Sequence, residues 1–173
     1  MTKLGAPKSK ASPHDRFIKG MATYKEVLQD LPKVLPPEIL KHLSLRSVQL
    51  QPGSYIDDRL AHAASDLLFS CRFRDKDGFL YFLFEHQTSP AWDMPLRTAD
   101  YTVRILNDWR REHPKARRLP PVVPVVLYQS RRAWNFPRRL NELLDLEPGL
   151  RQELDHVLLS GGFFLIDLKA ADL

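Results

Sequence analysis

Residues 65–89 read SDLLFSCRFRDKDGFLYFLFEHQTS, and this stretch decides the fold. Leu67, Phe69, Cys71 and Phe73 alternate with Leu68, Ser70 and Arg72. That period of two puts alternate side chains on opposite faces of a strand. From Phe79 to Phe84 every position is apolar, as in a strand covered on both sides. Between the two runs lies Asp75-Lys76-Asp77-Gly78, whose Asp-Gly pair supplies the positive φ of a tight turn. The reading is an antiparallel hairpin with its tip around residues 76 and 77. Acids stand near both far ends: Asp66 opens the first strand and Glu85 closes the second.

Such a hairpin brings Asp66 and Glu85 toward each other. Like charges in close approach raise a carboxyl pKa unless a cation lies between them. Mg²⁺ suits two carboxylates, because it takes hard oxygen ligands and keeps several waters. An ion of this kind activates a bound water and steadies the charge on a phosphoryl oxygen. Spacing alone equally accommodates two solvated strand-end acids, or cap and turn residues. Gln87, two residues beyond Glu85, shares its strand face, where an amide can orient a water or a phosphate oxygen. His86 points the other way and reads as a packing histidine, with no second His at zinc-ligand spacing.

Outward from the hairpin, the chain supplies helices and further strands. Residues 1–13 are basic and polar and read as a disordered lead-in, with the folded domain over 14–173. Phe17, Met21, Tyr24 and Leu28 predict a helix over 14–31, and Pro32, Pro36 and Pro37 interrupt it. A short helix through Pro37 to Leu45 follows, then an irregular stretch from Gln49 to Asp58 around Pro52-Gly53. Met94 to about His113 reads as an amphipathic helix with Leu96, Tyr101, Ile105 and Trp109 near one face, closed by Pro114. Residues 120–128, PPVVPVVLY, read as a buried strand in which Pro124 argues for an edge position or a bulge. Short helices around Arg138 to Leu144 and Gln152 to Leu159 precede a last strand, Gly162 to Leu168. Hairpin, crossover helix and later strands together predict an α/β fold, a central mixed sheet with helices on both sides.

Composition narrows the function classes. With 173 residues, 43% of them hydrophobic, the chain suits one globular domain. No apolar run approaches the roughly 20 residues that span a bilayer, and residues 1–13 lack the apolar core of a secretory signal. Cys71 is the only cysteine, which excludes a disulfide framework or a cysteine zinc site. A reducing, cytoplasmic setting is expected. Lys and Arg number 26 against 21 Asp and Glu, a net charge of +5, with a pI of about 9.4. The excess is clustered: Arg104, Arg110, Arg111, Lys115, Arg117 and Arg118, then Arg131, Arg132, Arg138 and Arg139. The planar guanidinium fork matches phosphate, although a solvated helix face and loop would carry the same charges.

An acid on one strand followed by acid-x-polar on the next resembles the PD-(D/E)xK nuclease pattern, with Gln87 where many members carry Lys. More closely, the chain resembles the Rpn family of recombination-promoting nucleases, also described as transposases. The likeness is carried in order by His14-Asp15, Phe17 and Lys19, then by Leu35-Pro36-Pro37-Glu38 and Asp57. It continues through Ser65-Asp66-Leu67-Leu68, Glu85-His86-Gln87 with Ser89, Met94-Pro95, Arg97 and Tyr101. It ends with Leu119-Pro120, Val123-Pro124-Val125-Val126-Leu127-Tyr128, Trp134 and Asp167-Leu168. The resemblance implies a restriction-endonuclease-like fold and cleavage of DNA phosphodiesters in recombination or transposition. It implies Asp66 and Glu85 as catalytic ligands of Mg²⁺, with Mn²⁺ as a substitute, and Gln87 in the place of the catalytic lysine. Arg97 would face the scissile phosphate or hold the acids, and Asp15, Glu26, Asp57 and Asp58 are candidates for a further acid. Arg104, Arg110, Arg111, Arg117, Arg118, Arg131 and Arg132 would track the DNA backbone. Two departures stand out: Tyr128-Gln129-Ser130 replaces a Tyr-His-Gly turn, and members usually extend well past the final Asp-Leu strand. A C-terminally truncated member is therefore expected, with self-association into a homo-oligomer left open. The alternatives are a catalytically inactive DNA-binding module, or a remnant acting only in protein association.

Overall fold

The computed structural model describes residues 31–33, 35–51, 67–85, 90–128, 130 and 132–167, with the backbone alone at 84 and 85. A five-stranded mixed sheet organises them, in the order β1 (Leu43–Leu50), β2 (Leu67–Phe73), β3 (Lys76–Glu85), β4 (Val122–Tyr128) and β5 (Phe164–Asp167). The first three strands are antiparallel neighbours, whereas β3, β4 and β5 run parallel. Helix α1 (Pro37–Leu40) precedes β1, and α2 (Met94–Glu112) makes the β3-to-β4 crossover. A 3₁₀ turn (Leu140–Leu143) and α3 (Pro148–Leu154) lie between β4 and β5. The predicted α/β architecture with a helix-flanked mixed sheet is what forms.

β3 is the spine of the core. Leu80 and Phe82 face one side, with Phe69, Cys71, Val125 and Leu127 and with Leu31, Leu35 and Ile39 above them. Phe79, Tyr81 and Leu83 face the other, with Leu68 and Val126 beneath Met94 and Ile105 of α2. Both faces are covered, so an all-apolar run replaces alternation. Phe69 and Phe82 meet edge to face across the β2–β3 pair, at 5.7 Å between ring centres, a geometry worth about 0.5–1.5 kcal/mol beyond burial.

The hairpin forms, but its turn is shorter than predicted. Phe73 pairs with Lys76, so the tip is Arg74-Asp75, and Arg74 carries the positive φ of 56°. Gly78 has ordinary φ inside β3, opposite Cys71. Its lack of a side chain serves proximity: a Cβ there would lie 2.8 Å from Phe73 Cδ2, and 2.9 Å from both Pro121 Cγ and Pro121 O. That carbonyl accepts the Phe79 N–H at 2.8 Å, the first rung between β3 and β4.

Other expectations need correction. The helix predicted to Leu45 stops at Leu40, and residues read as helix and loop form β1. β1 is hard to see because its buried residues, Leu43 and Val48, fit no period, and its register against β2 shifts between Ser44 and Gln49. Leu96 is 54% exposed; the inner face of α2 is Met94, Thr98 and Ile105, with Tyr101 and Trp109 packed against the core. Pro124 lies in an internal strand without a bulge. Since Pro121 O points at β3, alternate residues do the same, and the Pro124 nitrogen faces β5. There the β4–β5 ladder begins only at Val125 opposite Phe164, so no bond is lost. The last helix falls at Pro148–Leu154 rather than 152–159, and the last strand is Phe164–Asp167. The helix predicted over 14–31 lies outside the described residues, apart from Leu31 in a helical turn reaching residue 33. No described helix is long and apolar enough to cross a membrane.

Candidate active site

The parallel strands β3, β4 and β5 end together, and their last residues form one row. Glu85 is opposite Tyr128, and Tyr128 is opposite Asp167. In-register neighbours in a sheet are about 4.8 Å apart, so this edge gathers backbone positions for two acids and a phenol. Tyr128 is fully buried and half-buried Asp167 follows it in register, on the side of the sheet that α2 covers. Asp167 is not among the site residues expected above, although its sequence carries a signal. An acid ending an apolar strand is what drew attention to Glu85, and Phe163-Phe164-Leu165-Ile166-Asp167 repeats it.

Helix α2 runs antiparallel to β3 across this face. Tyr101 packs on Tyr81 with ring centres 5.4 Å apart, and Trp109 shares a pocket with Phe79 and Ser70. Moving from Tyr101 to Arg97 retreats about 6 Å along the helix, while moving from Tyr81 to Glu85 advances about 13 Å along the strand. The first turn of α2 therefore sits at the Glu85 end, with half-buried Arg97 in it. The amides of that turn are already used. Leu96 and Arg97 both donate to Asp93 O at 3.0 Å, Met94 donates to Ala91 O at 3.4 Å, and Pro95 has no N–H. An anion at this edge would be met by the helix dipole and by Arg97 rather than by free amides.

The segment after β4 folds back over the same edge. The Tyr128 hydroxyl donates to Arg132 O at 2.7 Å, and its ring meets Trp134 edge to face at 5.2 Å. Trp134 in turn packs on Phe163 at 5.6 Å and donates from Nε1 to Phe136 O at 2.7 Å. Ser130 Oγ accepts the Arg132 N–H at 3.3 Å. Arg132 is thereby fixed at the strand ends with an exposed side chain.

The predicted residues thus separate into groups. Arg97 and Arg132 share the edge with the Glu85 backbone. Arg110 and Arg111 end α2, about 20 Å along its axis from Arg97, and Arg117 and Arg118 follow on the loop leading into β4. Arg104 is paired with Asp100 at 3.0 Å and Arg111 with Asp108 at 2.7 Å, both within the helix. Asp66, Gln87, Arg131, Asp15, Glu26, Asp57, Asp58 and His86 lie outside the described residues, as does the side chain of Glu85. The β2–β3 ladder is described as far as Leu67 opposite Phe82. Among the described residues, no three His, Cys, Asp or Glu side chains converge as a metal site. Cys71 is no nucleophile, because burial pushes its thiol up to about 12.

Residues 12–173 match a family model described as "Putative transposase, YhgA-like". Recombination-promoting nuclease RpnD of Escherichia coli O157:H7 is 31% identical over 124 residues, covering 71% of this chain and 47% of that protein. Inactive recombination-promoting nuclease-like protein RpnE of Escherichia coli K12 is 30% identical over 159 residues, 91% of this chain and 51% of its own length. Recombination-promoting nuclease RpnC of the same strain is 30% identical over 121 residues, 69% of this chain and 39% of that protein. The chain spans about half the length of the curated relatives it matches. No solved structure matches it at a significant level.

Proposed function

Because the chain belongs to the YhgA-like transposase family, we propose that it is a metal-dependent DNA endonuclease acting in recombination or transposition, at the edge where β3, β4 and β5 end. The observation that supports this most is the backbone position of Glu85 opposite Tyr128, at the sheet edge where the first turn of α2 and Arg132 also lie. Chemistry at the C-terminal ends of parallel strands is a recurrent arrangement in α/β folds.

The proposed donors, Asp66 and Glu85, offer carboxylate oxygens, a set that suits Mg²⁺ and admits Mn²⁺. The ion supplies charge neutralisation at the phosphoryl oxygens and a more acidic water. Gln87 orients that water through its amide and, unlike an ammonium, adds no charge. Arg97 supplies a fixed cation toward the phosphate, and Arg132 a second from the segment after β4. Replacing the pattern's lysine with an amide favours a slow enzyme. The cytoplasm, where the buried thiol of Cys71 stays reduced, is the proposed compartment.

A relative named inactive supports a second reading, a binding module without cleavage. Separation of nicked from supercoiled plasmid tests the two. Cutting with Mg²⁺ or Mn²⁺ that stops in EDTA is expected. Folded protein that binds DNA but never cuts with either ion would establish the binding module instead.

A further inference from the structure

From residue 113 to residue 141 the chain contains seven Lys or Arg, at 115, 117, 118, 131, 132, 138 and 139, and no Asp or Glu. The fold takes this run from the start of β4 to its end and back again. Arg138 and Arg139 return to the start: Arg139 bridges Gly162, and Phe163 N–H donates to Arg138 O at 3.4 Å. They line an open groove of about 910 Å³ beside the N-terminal ends of β4 and β5. That size is within the range of small-ligand clefts, about 300–1,000 Å³, and it lies at the opposite end of β4 from Tyr128.

Two aromatic rings line the groove and remain uncovered: Phe136 is 36% exposed and Phe164 38%. Neither Arg138 nor Arg139 has a carboxylate partner for its guanidinium among the described residues. The Oε2 of Glu142 accepts the backbone N–H groups of both arginines at 3.3 Å. Its role is to hold the arginine pair in place. Glu38 also lines the groove, so with Glu142 its lining carries two carboxylates beside the two arginines. Arginines and exposed aromatic rings lining one groove are the chemistry of single-stranded nucleic acid binding, phosphates on the arginines and bases on the rings.

We infer that this groove binds single-stranded DNA through Arg138, Arg139, Phe136 and Phe164, as a site separate from the cutting edge. It holds a strand flanking the cleavage point, about the length of β4 away. The inference takes its ligand class from the proposed function but needs neither metal nor cleavage, so the two fail independently.

Fluorescence anisotropy of the full chain in EDTA tests it, with a labelled oligothymidylate of about 16 nucleotides, the upper site size of single-strand grooves, and a duplex of equal length. Arg138→Ala/Arg139→Ala should weaken oligothymidylate binding at least tenfold. It should also flatten the log–log salt slope by about 1.4, at about 0.7 per lost single-strand phosphate contact. Arg138→Lys/Arg139→Lys should restore most of the slope, which a fold defect would not. Phe136→Ala/Phe164→Ala should weaken binding about tenfold with the slope unchanged. Arg46→Ala, exposed on β1 at the far edge of the sheet, is the charge control and should change affinity less than twofold. Equal losses for the arginine pair and Arg46 would overturn the inference. So would unchanged single-strand binding in either double variant, absence of single-strand binding by the parent chain, or equal effects on duplex and single strand.

Discussion

Replacing Gly78 with alanine tests the register that carries Glu85 to its place. The added methyl would sit 2.8 Å from Phe73 Cδ2, 2.9 Å from Pro121 Cγ and 2.9 Å from Pro121 O. The phenyl ring can turn aside. The Pro121 carbonyl cannot, because it holds the first β3–β4 rung at 2.8 Å. Overpacking of this kind costs about 1–3 kcal/mol, and alanine regains about 0.5–1 kcal/mol over glycine inside a strand. A net loss centred on about 1.2 kcal/mol and reaching about 2.5 kcal/mol follows, which for a chain of this size lowers Tm by about 2–5 °C at the centre of that range. Urea and thermal unfolding monitored by circular dichroism measure it. Phe73→Leu in the same background should recover part of the loss, a coupling of about 0.5–1 kcal/mol. A neutral or stabilising Gly78→Ala would refute the close approach of β3 and β4. A loss that Phe73→Leu does not relieve would place Gly78 in a turn with positive φ instead.

Cys71 is 3% exposed with its thiol pushed up to about 12, so at pH 9 its thiolate fraction is about 10⁻³ and a disulfide reagent should label it only on unfolding; rapid stoichiometric labelling of native protein would contradict this burial. The folded state also keeps the Cys71 proton above pH 9, where the unfolded thiol releases it, so stability should fall as pH rises from 9 toward 12. Cys71→Ala should flatten that decline in a pH series of urea midpoints, and an unchanged pH dependence would show another group responsible. Tyr128→Phe removes the 2.7 Å bond to Arg132 O and should cost about 1 kcal/mol, with faster proteolysis of the segment after β4; parental stability and cleavage pattern would show that the hydroxyl does not hold it.

Much of this fold is legible because β3 is apolar at every position from 79 to 84 and β2 alternates. The turn was misplaced because Asp77-Gly78 is a strong hairpin signal, while the turn actually uses Arg74, a residue that rarely takes positive φ. Gly78 is not a positive-φ turn residue; what requires glycine there is a neighbour, Pro121, more than forty positions away. β1 was missed because an irregular register breaks alternation, so Leu43 joined Ile39 and Leu40 in an apparent helical stripe. Leu96 was placed inward by its chemistry alone, whereas the helix turns Thr98 inward and satisfies its hydroxyl on Met94 O and Pro95 O at 3.1 Å. For the candidate site, Glu85 reads from the sequence as an acid closing an apolar strand, and the structure gives its backbone register opposite Tyr128. The arginines were legible only as a run, because their division between the two ends of β4 depends on the path of the chain after Tyr128.

The most direct test of the central claim compares plasmid cutting by the parent chain and by Glu85→Ala, with DNA binding in EDTA measured on the same preparations. The proposed site predicts metal-dependent cutting by the parent chain, slowed about 10²-fold or more in the variant, and binding unchanged within twofold. Cutting by Glu85→Ala at the parental rate, or cutting that persists in EDTA, would place the chemistry elsewhere.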